Sequence, residues 1–113
     1  MTWQPITSPN DVDTLIERSH RRPVLIFKHS TTCPISSIAR TRLEQDWDFK
    51  EEELEPYFLD LLRHRPTSKY IADSLAVHHE SPQVLLVRDG ICHYDSSHLD
   101  ISVKELHECY EPS

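Results

Sequence analysis

The chain has 113 residues, 37% hydrophobic and 27% charged, with a formal net charge of −7 and a pI near 5.5. That length suits a single domain over 1–113 with a modest core, and basic residues scattered among acids do not make the positive face that nucleic acid requires. No apolar run approaches the roughly 20 residues of a membrane span. The start Met1-Thr2-Trp3-Gln4-Pro5 carries no basic and then apolar leader, so a cytoplasmic protein without membrane partners is expected. Three cysteines at no disulfide-framework spacing fit a reducing compartment.

Trp3 to Ile6 is a candidate leading strand. Ser8-Pro9-Asn10-Asp11 supplies an N-cap, a proline at the first helical position and an acid in the first turn. The helix it opens carries Val12, Leu15 and Ile16 on one face and ends near His20. Val24 to Phe27 is a continuous apolar run, expected of a central strand buried on both faces. After Cys33 a helix is predicted to turn Ile35, Ile38, Ala39, Leu43 and Trp47 inward. Glu51-Glu52-Glu53 reads as a solvated loop or helix end.

Tyr57 to Leu62 reads as a strand, and Pro66-Thr67-Ser68 opens a helix bearing Tyr70, Ile71 and Leu75. Gln83 to Val87 and Ile91 to Tyr94 form a hairpin about Asp89-Gly90, with the only glycine where a tight turn needs positive φ. This register puts Cys92 and Tyr94 on one face. Ser102 and Glu105 make a capping box for a last helix carrying Leu106, His107 and Cys109. The order of elements gives an α/β fold: a three-layer α/β/α sandwich with a central mixed sheet, which is the thioredoxin-like arrangement.

The candidate reactive group is Cys33, set where an apolar strand passes through a polar turn into a helix. Unpaired N–H groups and the positive end of the helix dipole favour thiolate there. A thiol of pKa about 8.5 is roughly 3% ionised at pH 7, and one near 6 roughly 90%. Much of that gain returns as lost nucleophilicity, so binding and orientation must supply the rest. Ser36 occupies the place of the second thiol of a Cys-x-x-Cys motif, so Cys33 begins with a one-thiol reaction. Ser36 either donates to the thiolate or caps the helix. His29 is either a proton carrier near the thiol or a hydrogen-bonded structural histidine, and Thr31 and Thr32 either bind a small thiol or shape the turn. Cys92 and Cys109 read as packing residues or as resolving thiols. The eight histidines show no metal-ligand spacing, so no metal is expected.

Phe27-Lys28-His29-Ser30-Thr31-Thr32-Cys33-Pro34-Ile35-Ser36 resembles the signature of the monothiol bacilliredoxins, bacterial thioredoxin-like proteins, and His79-Glu80-Ser81-Pro82-Gln83 resembles their second motif. The resemblance implies an active-site motif of Thr32, Pro34, Ile35 and Ser36 about the catalytic Cys33. It also implies a cis-proline at Pro82, with the Ser81 backbone pairing to an extended substrate segment. The reaction it implies is removal of bacillithiol from bacillithiolated client proteins by thiol–disulfide exchange. Bacillithiol serves as co-substrate, no cofactor is bound, and a separate bacillithiol disulfide reductase recycles the product. Recognising bacillithiol needs groups for its malate carboxylates and glucosamine, and Lys28, Arg40 and Arg42 are basic candidates whose positions the sequence does not fix. Two other classes stay open: an iron–sulfur carrier of monothiol glutaredoxin type, against which Pro34 speaks because comparable carriers have glycine there, and a non-catalytic thioredoxin-like binding module.

Overall fold

In the computed structural model, which describes residues 1–110, the apolar run lies in β2 (Val24–His29), every residue of which is buried. A strand loses both faces to water only inside a sheet covered on each side. β2 is accordingly the middle strand of five, in the order β1-β3-β2-β4-β5. It pairs in parallel with β3 (Glu55–Asp60), which in turn holds β1 (Gln4–Ile6) in parallel, and antiparallel with β4 (Gln83–Arg88). The β4–β5 hairpin, with β5 at Ile91–Ser97, completes the mixed sheet.

Alternation along β2 sorts the core into two layers. Val24 and Ile26 pack with Val12 and Leu15 of α1 (Pro9–Arg18) and Ile71 and Leu75 of α3 (Arg65–Leu75). Leu25 and Phe27 pack with Ala39 and Leu43 of α2 (Pro34–Asp46) and Leu106 of α4 (Val103–Cys109). This is the expected three-layer sandwich.

Local signals set most boundaries. Ser8 Oγ accepts the Asp11 N–H at 3.3 Å to start α1, with Pro9 in the first turn. The Asp89-Gly90 turn has φ of 54° and 77°, the primed geometry that matches strand twist, and a Cβ on Gly90 would lie 3.2 Å from His20 Nε2.

Four expectations are corrected. β3 is Glu55–Asp60 rather than Tyr57 to Leu62, because Asp60 Oδ1 accepts the N–H groups of Leu62 and Arg63 at 3.2 and 3.3 Å and turns the chain out of the strand. Ile35 and Ile38 are not core residues: they are 40% and 49% exposed, and α2 buries Ser36, Ala39 and Leu43 instead. Cys92 and Tyr94 do not share a face. Leu86 opposes Tyr94 while Val87 opposes Cys92, so His93 is the extra residue of a bulge, and the two side chains enter opposite core layers. Only half of the capping box forms: Ser102 Oγ accepts the Glu105 N–H at 3.1 Å, but the Glu105 carboxylate accepts from Tyr94 Oη at 2.8 Å.

Candidate active site

The parallel strands β2 and β3 end at one rim of the sheet, and β4 begins there. Lys28 is opposite Gln83, so the end of β2 that leads to Cys33 lies beside the residue that follows Pro82. The turn 30–33, the loop after β3 and the loop 76–82 therefore meet at this rim. The Ser81–Pro82 peptide bond is cis, as the resemblance implies, and Pro82 O accepts the His98 N–H at 3.0 Å.

Cys33 is the N-cap residue of α2, with extended backbone and a half-buried side chain that makes no hydrogen bond to the helix N-terminus. Its N–H donates to Ser30 O at 3.2 Å, closing the turn, and Ser30 Oγ lies 3.3 Å from Thr32 Oγ1. Thr32 thus shapes the turn, and Thr31 is exposed on it. Pro34 takes the first helical position, where its missing N–H leaves no helical bond unmade.

Ser36 and His29 form an inner support. The fully buried Ser36 Oγ accepts the Ser30 N–H at 3.0 Å and lies 2.6 Å from His29 Nδ1. Of its two expected roles, Ser36 is seen in the second, capping a backbone N–H, that of Ser30 at the strand end. It ties the turn to the sheet. His29 is buried and hydrogen-bonded: burial, followed by the nearby Arg40 charge, lowers its pKa, and Phe27 and Phe58 flank its ring at 5.6 and 5.3 Å.

Lys28 points the opposite way and is completely buried. Nζ donates to Ser68 O at 3.1 Å and lies 3.2 Å from His79 Nδ1. Both are neutral acceptors, and burial lowers the ammonium pKa to about 8. Burial and then the Lys28 charge also lower the pKa of His79, so its neutral ring accepts at Nδ1 and carries its proton on Nε2. Sequence alone does not place this buried lysine. The only local hint is a lysine continuing the β2 alternation toward the α3 side. Arg40 is ion-paired with Glu44 at 3.0 Å and lies over the Phe58 ring, and the exposed Arg42 reaches Leu99 O at 3.5 Å.

The other thiols are packed apart from this rim. Cys92 donates to Tyr94 O at 3.4 Å, and burial pushes its pKa up to about 11. Cys109 packs into the opposite core layer. Ser81 Oγ is buried and has no hydrogen-bond partner among the described residues. No group of three or more potential metal ligands occurs among those residues.

The profile of the family described as monothiol bacilliredoxin BrxC matches residues 4–106. The chain belongs to the monothiol bacilliredoxin family. Among solved structures it is similar to a proposed oxidoreductase with a thioredoxin fold, at 31% identity and TM-score 0.79, covering 96% of this chain and 93% of that one. Thioredoxin from Malassezia sympodialis matches at 14% identity and TM-score 0.73, covering 96% and 88% of the two chains. Fasciola hepatica thioredoxin matches at 16% identity and TM-score 0.68, covering 93% of each. The thioredoxin likenesses at this low identity speak to fold. Family membership and the 31% identical structure place this bacilliredoxin among proteins of thiol oxidoreductase type. No helix among the described residues is long and apolar enough to cross a membrane.

Proposed function

We propose that the protein removes bacillithiol from protein mixed disulfides, with Cys33 as the single nucleophile. The observation that carries this reading is a half-buried thiol as the N-cap residue of α2, at the rim where β2 ends beside the start of β4, while Cys92 and Cys109, equally half-buried, pack against the two core layers elsewhere. The Cys33 thiolate attacks the bacillithiol sulfur of the mixed disulfide, a new S–S bond forms as the old one breaks, and the client thiolate leaves to take a proton from water. A second bacillithiol thiolate then attacks the Cys33 adduct. That releases bacillithiol disulfide and restores Cys33, and a separate reductase spends the electrons that recycle the disulfide. Each exchange conserves electrons, so the protein needs no bound redox cofactor.

Two features support a client surface. Ile35, Ile38 and Leu99 present apolar area beside the site, 40%, 49% and 54% exposed, where a client segment can shed water. An extended client strand laid along Ser81 would pair with its backbone beside the cis peptide bond.

The test is the mass of the protein after incubation with a bacillithiolated client, beside Cys33→Ser. One bacillithiol on wild type alone, with the client returned to free thiol, is the expected result. Client binding that persists in both proteins without transfer would make the chain a binding module instead.

A further inference from the structure

Between α3 and the loop leading to Pro82 lies a cavity of about 380 Å³. One side of α3 forms its wall with Arg65, Ser68, Lys69 and Asp73, and His79 and Leu61 close it. The opposite side of α3 is held on α1 and the segment before it: Tyr70 Oη donates to Asp13 of α1 at 2.6 Å, and Thr67 Oγ1 to Thr7 O, between β1 and α1, at 3.2 Å. The cavity adjoins the Cys33 rim through two of its wall residues: Leu61 N donates to His29 O at 3.0 Å, and His79 stands three residues before Pro82.

Its charge is one-sided. Arg65 and Lys69 are exposed, one helical turn apart, and neither has an ion-pair partner among the described residues. Behind them the buried Lys28 ammonium rests on Ser68 O and His79 Nδ1, contacts that belong to two residues of the cavity wall and carry no counter-charge. His79 adds an Nε2–H donor. Asp73, one turn beyond Lys69 on α3, is the one acid on the wall, and no ion pair joins the two. Exposed cations without partners around a concave site of small-molecule size fit an anionic ligand, and the adjacent pair fits one with two carboxylates.

We propose that this cavity receives the malyl dicarboxylate end of bacillithiol while its sulfur is at Cys33, with Arg65 and Lys69 as direct ion partners and Lys28 as a buried charge behind them. The assignment rests on the small-thiol reading above. It makes the cavity the element that distinguishes bacillithiol from uncharged thiols.

The test compares bacillithiol disulfide with uncharged hydroxyethyl disulfide as oxidants of Cys33 in the full chain. In wild type the ratio of second-order rates favours bacillithiol disulfide and falls with added salt. In an Arg65→Gln/Lys69→Gln double variant the ratio is expected to drop about tenfold, as two partly exposed ion pairs would give. An unchanged ratio in the variant overturns the cavity assignment and leaves exchange at Cys33 standing. A wild type that shows no preference for bacillithiol disulfide overturns the small-thiol reading itself. A second measurement is free of thiol chemistry: Cys33→Ser titrated with glucosaminyl malate, the cysteine-free part of bacillithiol, followed by amide NMR. Saturable shifts confined to 65–73 and His79, lost in the double variant, are expected. Shifts elsewhere, or none, overturn the site.

Discussion

Lys28 places an ammonium among neutral acceptors in the sheet interior, and its titration is linked to stability. The folded chain releases this proton at about 8, below the ordinary 10.5 of a lysine, because burial disfavours the charge. Between those values the unfolded chain holds more protons, so the lysine contribution to stability rises with pH across the window and is smallest below it. The expected outcome is a wild-type minus Lys28→Met difference in unfolding free energy that climbs between pH 8 and 10.5, by at most about 3 kcal/mol. Taking the difference cancels Cys92, whose raised pKa makes it act in the opposite sense through the same alkaline range. Urea unfolding at several pH values is the measurement, and a flat difference would show an ammonium far better solvated than its burial implies.

The turn between β2 and α2 is held from inside, by Ser36, rather than by capping at Cys33. Removing that hydroxyl strands the Ser30 N–H and His29 Nδ1 in a buried place. Ser36→Ala is expected to cost roughly 1–3 kcal/mol in denaturant unfolding, the usual penalty for buried groups left unpaired. Native-state hydrogen exchange should quicken at the Ser30 amide before it quickens in β2 or β4. The same tether explains why α2 shows Ile35 and Ile38 to solvent: Ser36 fixed against the strand rotates the stripe inward to Ser36, Ala39 and Leu43, which leaves both isoleucines on the outer face.

At the scale of the molecule, the two ends of the sheet divide stability from chemistry. Opposite the Cys33 rim, the buried Glu55 carboxylate at the start of β3 accepts from Arg18 at 2.6 and 3.0 Å and from Tyr57 Oη at 2.9 Å, with Arg22 at 3.4 Å, and so joins α1 to the sheet. The Arg18 hydrogen bonds hold its pKa below the ordinary carboxylate value against the opposing effect of burial. A lowered pKa means this contribution is complete above the unfolded value near 4.5 and fades as pH falls through the folded one. Glu55→Gln is expected to lose about 1–3 kcal/mol at pH 7, since one neutral amide cannot serve all three donors. The gap to wild type should narrow in acid unfolding below about pH 4, while exchange at Cys33, at the far rim, keeps its rate.

What the sequence determined by itself was local. The Ser8 cap, the Asp89-Gly90 turn, the apolar run of β2 and the placing of Cys33 at a helix start each follow from a few adjacent residues, and together they gave the element order, the layers and the candidate nucleophile. The tertiary structure decided whatever depends on residues distant in the chain. Which face α2 buries hangs on one hydroxyl meeting the end of β2. The bulge at His93 splits Cys92 from Tyr94 because β4 dictates the register of β5. Lys28 became a buried charge, and Arg65 and Lys69 the rim of a cavity, only when α3 and the loop before Pro82 closed over β2. Backbone preference and hydrophobic period act over a few residues, whereas burial and charge environment are sums over neighbours that folding brings together.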